Sequence, residues 1–209
     1  AVLGQVGWVG ALGEVGGHPP ERLDACLDRL EAKELVQLSR STVAGEVQYA
    51  FRHGLVRDVA YGQVVRADRA SKHRRAAAWI EGLAPDRAED RAELLAYHYR
   101  AALSFARAAG TEPAGLAERA RGALRDAGDR AAALGGYETA ARFHAEALEL
   151  CADGDAERGQ LLLRLGRARC RSDMTGQEQL DAAREALLAA GQPLAAAEAE
   201  MLLGELAFL

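Results

Sequence analysis

The sequence is poor in the residues from which nucleotide, metal and redox sites are built. Only two of its 26 basic residues are lysines, Lys33 and Lys72, and neither is followed by Ser or Thr. A phosphate-binding P-loop needs that Lys-Ser/Thr step, so the sequence has no site of this class. The three cysteines have no CxxC spacing, which predicts buried thiols rather than a disulfide or a metal site, and they are Cys26, Cys151 and Cys170.

Other catalytic and targeting patterns are also missing. The sequence contains neither a GxSxG nor an HExxH motif, and its five histidines are scattered. His98 and His144 fall on apolar helix faces and are predicted to be core histidines. No apolar run approaches the ~20 residues that span a bilayer, and the opening residues lack a basic n-region. We therefore expect a cytoplasmic protein with no catalytic, cofactor-binding or metal-binding residues and no membrane partner.

The composition indicates a soluble, mainly α fold. The chain has 209 residues, of which 49% are hydrophobic and 27% charged, and alanine is abundant. Gly and Pro are scarce inside the periodic stretches after residue 66, as expected of helices. The chain starts without Met and stops inside an apolar helical pattern, so we expect it to be a piece of a longer protein.

Residues 1–65 predict a small domain with one β-hairpin. The first 17 residues are interpreted as two short helical pieces around Trp8, and Pro19 and Pro20 then open a helix. Two alternating apolar runs flank Gly45 and predict the hairpin; they contain Val36, Leu38, Val47, Tyr49 and Phe51. The order of three helices and a hairpin is that of a winged-helix domain.

Residues 66–112 are predicted to form a linking helical hairpin. One helix face follows the β-hairpin and comprises Leu55, Val56, Val59, Ala60 and Val64. The next helix stops before Pro85 and carries Ala70, His73, Ala77 and Ile80. A third ends near Gly110 and carries Leu94, Leu95, His98, Ala102 and Phe105.

Residues 113–209 contain a repeated helical pattern. Gly128, Gly166 and Gly204 are spaced evenly by 38 residues, which implies close packing of a neighbouring helix at each. The segment 121–154 resembles a tetratricopeptide (TPR) unit, with matching residues at Leu124, Ala127, Gly128, Ala140 and Ala147. His144 departs from it, since an aromatic residue is usual there. This resemblance predicts a truncated α-α solenoid that binds a protein or peptide in its groove.

The final helix of this array is expected to be uncovered. Its apolar residues would have no following helix to pack against, and they are Met201, Leu202, Leu203, Leu206, Phe208 and Leu209. Such a patch is typical of a site of self-association or fraying.

One segment is strongly basic in an acidic protein. Residues 52–75 carry seven Arg or Lys and two Asp, although the whole chain has a formal charge of −5. Such asymmetry indicates either a contact face for a partner or a solvated helix face. The candidate contact residues are Arg66, Arg69, Lys72, Arg74 and Arg75.

The sequence AFRHGLVRDVAYGQVV (50–65) resembles a segment that follows the ATPase core of bacterial STAND-type ATPases, the signal-transduction ATPases with numerous domains. These include AAA-type ATPases fused to class III nucleotide cyclases (adenylate cyclases among them) or to helix-turn-helix transcription regulators. The matching residues are Phe51, His53, Leu55, Val56, Arg57, Asp58 and Tyr61. The stretches 1–8, 66–81 and 93–102 resemble neighbouring parts of the same proteins.

This resemblance implies a regulatory, sensor role in signal transduction. The helical repeats would bind an inducer or partner protein, and the winged helix would pack on an ATPase core that binds ATP and Mg²⁺ and is absent from this chain. The resemblance makes Phe51, His53, Arg57, Asp58 and Tyr61 candidate regulatory or interdomain residues. Of these, His53 and Asp58 would lie near the nucleotide pocket or its hinge. The structural alternative is that His53 anchors the join from hairpin to helix and that Asp58 pairs with Arg57 or Arg52.

Two other functions remain open. One is a free-standing TPR adaptor, which would bind peptides without an ATPase. The other is a DNA-binding transcription regulator, since winged helices often bind DNA. The helix over residues 21–34 has three basic and five acidic residues, so we expect no specific DNA binding.

Overall fold

A computed structural model describes residues 1–83 and 91–208. The described residues are mainly helical, with ten helices and a three-stranded antiparallel sheet, so the mainly α class is confirmed. The chain forms two compact units, Ala1–Asp86 with Tyr97–Pro113, and Arg87–Ala96 with Ala114–Leu209.

The first unit combines the sheet with short helices. In chain order its elements are β1 (Val6–Trp8), α1 (Val9–Gly16), α2 (Pro20–Ala32), β2 (Val36–Ser39), β3 (Gln48–Phe51), α3 (Gly54–Gly62), α4 (Arg66–Glu81) and the later part of α5 (Ala92–Ala108). The predicted hairpin is confirmed, because β2 pairs with β3 and Gly45 occupies its loop with φ +78°. The predicted helix start is also confirmed, since Pro20 is the first residue of α2.

The prediction of helix before Trp8 is wrong. Val6–Trp8 is the strand β1, which pairs antiparallel with β3 so that Val6 faces Ala50 and Trp8 faces Gln48. Glycines at positions 4 and 7 weaken a helix here, while β3 offers a free edge. This pairing partner is distant in sequence, so the local apolar pattern does not reveal it.

A buried glutamine fixes the hairpin. Gln48 is 5% exposed, and its Nε2 donates to Ser39 Oγ and to the Arg40 carbonyl, each at 3.0 Å. Its Oε1 accepts from the Thr42 backbone N–H at 3.2 Å. These bonds satisfy the buried amide and hold both ends of the loop.

Helix α1 begins against the hairpin loop and packs on α4. The Glu46 carboxylate accepts a hydrogen bond from Gly10 N at 2.9 Å, near the positive end of the helix dipole. A Cβ at position 10 would lie 2.5 Å from Glu46 Oε1, so a larger residue there would displace the Glu46 carboxylate. Trp8 stacks on Trp79 of α4 with ring centroids 5.5 Å apart.

The apolar face predicted for α3 is largely uncovered. Leu55 is 75% exposed and Val59 is 58% exposed, and α3 contributes no buried residue. In α4, by contrast, the predicted face includes the buried His73, Ala77 and Ile80. This helix ends at Glu81, which confirms the prediction that it stops before Pro85.

The second unit is a succession of helices. These are the start of α5, then α6 (Leu116–Ala133), α7 (Tyr137–Glu149), α8 (Arg158–Asp173), α9 (Gln177–Ala189) and α10 (Pro193–Ala207). From α6 onward each helix packs on the next, and α8 also contacts α6 and α10. A buried core joins α8, α9 and α10, and it includes Leu162, Leu163, Leu180, Leu187 and Leu202.

Two of the three evenly spaced glycines are packed as predicted. A Cβ on Gly128 would lie 2.4 Å from His144 Cε1, and one on Gly166 would lie 2.7 Å from Leu180 Cδ2. The prediction is wrong for Gly204, which has no described atom within 4 Å of that position. No helix in the described chain follows α10 to occupy that space.

The expectation of a wholly uncovered final helix is wrong in part. Leu202 is 2% exposed because α10 packs on α8 and α9, whereas Met201 is 56% and Phe208 is 94% exposed. Leu209 lies outside the described residues. The core histidines are confirmed, since His98 is 0% and His144 is 1% exposed.

Candidate functional site

The predicted regulatory residues begin at the join between β3 and α3. Phe51 ends β3, where its N–H donates to the Gln5 carbonyl at 2.9 Å and its carbonyl accepts from Gln5 Nε2 at 2.7 Å. His53 is the exposed N-cap residue of α3. Its side chain makes no capping hydrogen bond, and its carbonyl accepts from Val56 N at 3.1 Å and from Arg57 N at 3.4 Å. The join is therefore held by the backbone, and the His53 imidazole faces outward.

Arg57 and Asp58 form an ion pair. Arg57 Nη2 lies 2.5 Å from Asp58 Oδ1, as the structural alternative for Asp58 predicts. The two side chains are 32% and 59% exposed, so the pair contributes little to stability. A regulatory role for either residue stays a prediction.

Tyr61 instead takes part in a buried cluster with α4 and α5, which we call the histidine cluster. The Tyr61 hydroxyl lies 3.0 Å from His73 Nε2, and His73 Nδ1 lies 3.0 Å from His98 Nδ1. The Arg69 guanidinium carbon is 4.6 Å from the centre of the Tyr61 ring and 5.5 Å from that of Phe105. These contacts hold three consecutive helices together.

Both histidines of the cluster are neutral near pH 7. Burial, with Arg69 adding a smaller effect, lowers the pKa of His73 to about 4. Burial and the neighbouring His73 lower the pKa of His98 to about 3. One Nδ1 must therefore donate and the other accept across their 3.0 Å contact. This arrangement suits a structural hydrogen-bond network, in which His98 Nε2 is buried and has no partner within the described chain.

The basic residues of α4 do not share one direction. Arg66, Arg74 and Arg75 are exposed, but at 100° per residue they point to different sides of the helix. Lys72 is half-buried, and Arg69 donates to the Val64 and Tyr61 carbonyls at 3.1 and 3.3 Å. Their role as a contact face stays a prediction.

The second unit contains a groove of mixed polar and apolar lining that the sequence does not predict. Its volume is about 520 Å³, and α6, α8 and α10 form its walls together with the first residue of α7. Its lining consists of Asp129, Ala132, Ala133, Tyr137, Gln160, Leu163, Arg164, Arg167, Arg171, Ala195 and Glu198.

Ion pairs cross this groove from α8 to its neighbours. Arg164 Nε lies 3.0 Å and 3.2 Å from the two carboxylate oxygens of Asp129 on α6. Arg167 pairs with Glu198 on α10, and Arg171 Nη2 lies 3.8 Å from Glu205 Oε2. Because Arg164, Arg167 and Arg171 occur at positions i, i+3 and i+7 of α8, their spacing in the sequence was the available signal.

A buried histidine supports the wall of the groove. His144 of α7 packs against Gly128, and its Nε2 lies 3.6 Å from Asp129 Oδ1. Burial lowers the pKa of His144, and the Asp129 carboxylate opposes this effect. The neutral ring therefore fills the space between α6 and α7 directly below the Asp129–Arg164 pair.

A second cluster of charges ties α6 to the loop before α8. Arg121 pairs with Asp155 and Glu157, and Arg125 Nη1 lies 2.8 Å from Glu157 Oε1. Cys151 lies 3.9 Å from Arg121 Nη1, yet burial still raises the pKa of its thiol. This thiol is therefore not activated as a nucleophile.

Within residues 1–83 and 91–208, no group of three or more His, Cys, Asp or Glu side chains could hold a metal ion. In the same ranges, no helix combines the length and the apolar character needed to cross a bilayer. No protein-family model matches the chain, and no curated protein matches it significantly.

Proposed function

We propose that the chain is a non-catalytic sensor module whose helical repeats bind a partner protein and regulate a STAND-type signalling ATPase. The observation that carries this proposal is the groove on α6, α8 and α10. A groove of about 520 Å³ has room for a short extended peptide, and its mixed lining offers both hydrogen bonds and apolar contact.

The proposal includes a winged-helix fold for the first unit and TPR-like repeats for the second. The packing of His144 on Gly128 and of Leu180 on Gly166 supports TPR-like repeats, because a large residue of one helix fills the space above a glycine of the other. The elements β1, α1, α2 and the β2–β3 hairpin support a winged helix in the first unit. Predicted boundaries at residues 65 and 112 stay part of the proposal.

The link to an ATPase rests on the resemblance of residues 50–65 and on one property of α3. Leu55 and Val59 are one helical turn apart, so they form an exposed apolar strip. An ATPase core packed on this strip would bury it, and partner binding in the groove would shift the equilibrium between two arrangements of that core. ATP and Mg²⁺ would bind to the core and not to this chain.

Groove binding is tested by selection of peptides. A library of random peptides is screened against the intact chain and against Ala133→Trp, which fills the groove from an exposed position. We expect peptides that bind the intact chain at least about tenfold more tightly than the variant. If every selected peptide binds both proteins equally, the groove is not the binding site.

The ATPase link has a separate test. In a longer protein that joins this chain to an ATPase core, Leu55→Glu with Val59→Glu should change the basal rate of ATP hydrolysis, and so should His53→Ala. The exposed Leu134→Glu in the second unit is the control. An unchanged rate in all variants would favour the alternative of a free TPR adaptor, which the same groove supports. DNA binding is ranked last, because α2 carries the acidic residues Glu21, Asp24, Asp28 and Glu31.

A further inference from the structure

Three arginines of α8 present their guanidinium groups to the groove. Arg164, Arg167 and Arg171 lie on one side of the helix, and their side chains are 29%, 45% and 52% exposed. Exposure therefore increases along α8, and the two later arginines are the more accessible to a molecule in the groove.

Their present partners engage them to different degrees. Arg164 is held firmly, since Nε contacts both Asp129 oxygens and Nη1 lies 3.3 Å from the Gln160 carbonyl. Arg171 is 3.8 Å from Glu205, which is too far for a hydrogen bond. A guanidinium has five N–H donors, so Arg167 also keeps donors beyond those facing Glu198.

We propose that the groove receives an acidic, extended segment of the partner protein, whose carboxylates bind Arg167 and Arg171 in place of Glu198 and Glu205. This inference rests on the proposed function and names the chemistry of its partner. Four residues of helix separate the two arginines by ~6 Å, and alternate residues of an extended strand are ~6.6 Å apart. Two carboxylates at positions i and i+2 of the segment therefore match both guanidiniums.

The exchange is accessible because the ion pairs it replaces are exposed. Glu198 and Glu205 are 37% and 43% exposed, and pairs of this kind contribute little to stability. A bound carboxylate can make two parallel hydrogen bonds to a guanidinium, whereas Glu205 makes none to Arg171 at 3.8 Å. Tyr137, Ala133 and Ala195 supply contact for its remaining side chains.

The exchange also alters the array itself. Among the described residues, the Arg167–Glu198 pair joins α8 to α10 at the groove, and the Arg171–Glu205 pair joins the same two helices beside it. Their replacement removes a link between these two helices and leaves their shared apolar core in place. Partner binding thereby changes how α10 is held, which gives the sensor an output.

The experiment measures fluorescence anisotropy of capped eight-residue peptides. The acidic probe alternates Glu and Ala, and the matched neutral probe alternates Gln and Ala. We expect the acidic probe to bind at least about tenfold more tightly, with affinity falling as salt rises. Arg167→Gln with Arg171→Gln should abolish that preference, and Arg167→Glu with Arg171→Glu should shift it to a Lys–Ala probe.

The control variant is Arg184→Gln. Arg184 is also paired with carboxylates, at 2.7 Å from Glu200, but it does not line the groove. The affinity of Arg184→Gln for the acidic probe should lie within about twofold of that of the intact chain. Circular dichroism of each variant checks that loss of binding is not loss of fold.

Three outcomes would overturn the inference. The first is equal or undetectable binding of the acidic and neutral probes, and the second is a preference that survives the double substitution. The third is equally tight binding of an eight-residue oligothymidylate, which would mean general attraction of anions. Random-peptide selection separates this inference from the proposed function. If the selected peptides bind in the groove but are neutral or basic, only the proposal of an acidic segment is contradicted. If no selected peptide binds in the groove, both the acidic segment and the proposed function are contradicted.

Discussion

The size of residue 128 sets how closely α6 and α7 approach. Gly128→Ala would place a Cβ 2.4 Å from the His144 ring, so we expect it to lower the free energy of unfolding by about 2 kcal/mol. Gly122→Ala is the matched control in α6. It has no neighbour within 4 Å and should raise that free energy by about 0.5–1 kcal/mol through helix propensity.

Urea unfolding followed by circular dichroism measures both glycine variants. In the double variant Gly128→Ala with His144→Ala, the free energy of unfolding should fall by less than the sum of the two single decreases. Removal of the His144 ring makes room for the new Cβ, so the two effects are not additive. Equal stability of both glycine variants would mean that α7 can move away from α6 at little cost.

The buried histidines make the first unit sensitive to acid. The pKa values of His73 and His98 are lowered from 6.5 to about 4 and about 3, so the unfolded chain binds protons that the folded chain excludes. The free energy of unfolding therefore has its full value above pH 6.5. It falls as the pH decreases toward 4, by roughly 1 kcal/mol per pH unit for each histidine.

Both tryptophans, Trp8 and Trp79, lie in the first unit, so their fluorescence reports its unfolding in urea. His98→Leu should reduce the dependence on pH, and the exposed His18→Leu should not. A variant at position 98 that keeps the original slope between pH 7 and pH 5 would contradict the assignment.

At the scale of elements, Glu46 stabilises the start of α1 from outside the helix. Glu46→Gln should lower the free energy of unfolding by about 1 kcal/mol, because it removes the carboxylate that accepts from Gly10 N. Glu14→Gln is the control, since this exposed acid lies near the C-terminal end of α1 where a negative charge is unfavourable. Tryptophan fluorescence in urea compares them, and equal losses would exclude a role of Glu46 at the helix start.

Local patterns predict local elements, and the structure bears this out. The hairpin, α2 and the helices after residue 66 follow from apolar periodicity and turn residues, which act over a few positions. The strand β1 cannot be predicted from such patterns, because Val6 pairs with the distant Ala50. The groove cannot be predicted from them either, because it depends on which side of α8 faces α6 and α10.

At the scale of the whole chain, we expect no nucleotide binding. The sequence lacks the glycine-rich loop and Lys-Ser/Thr step that hold phosphates, so titration calorimetry with Mg-ATP or Mg-ADP should give no heat of specific binding. A micromolar dissociation constant would contradict this expectation and would require a phosphate site of another kind.

The Trp8–Trp79 stack also bears on how the protein folds. This contact joins two residues that are far apart in the sequence, whereas each helix from α6 to α9 packs on the next helix along the chain. Chains with contacts between near neighbours fold faster than chains that must close long loops. After dilution from urea, helical ellipticity should therefore recover before tryptophan fluorescence, because the second unit completes its folding before the first.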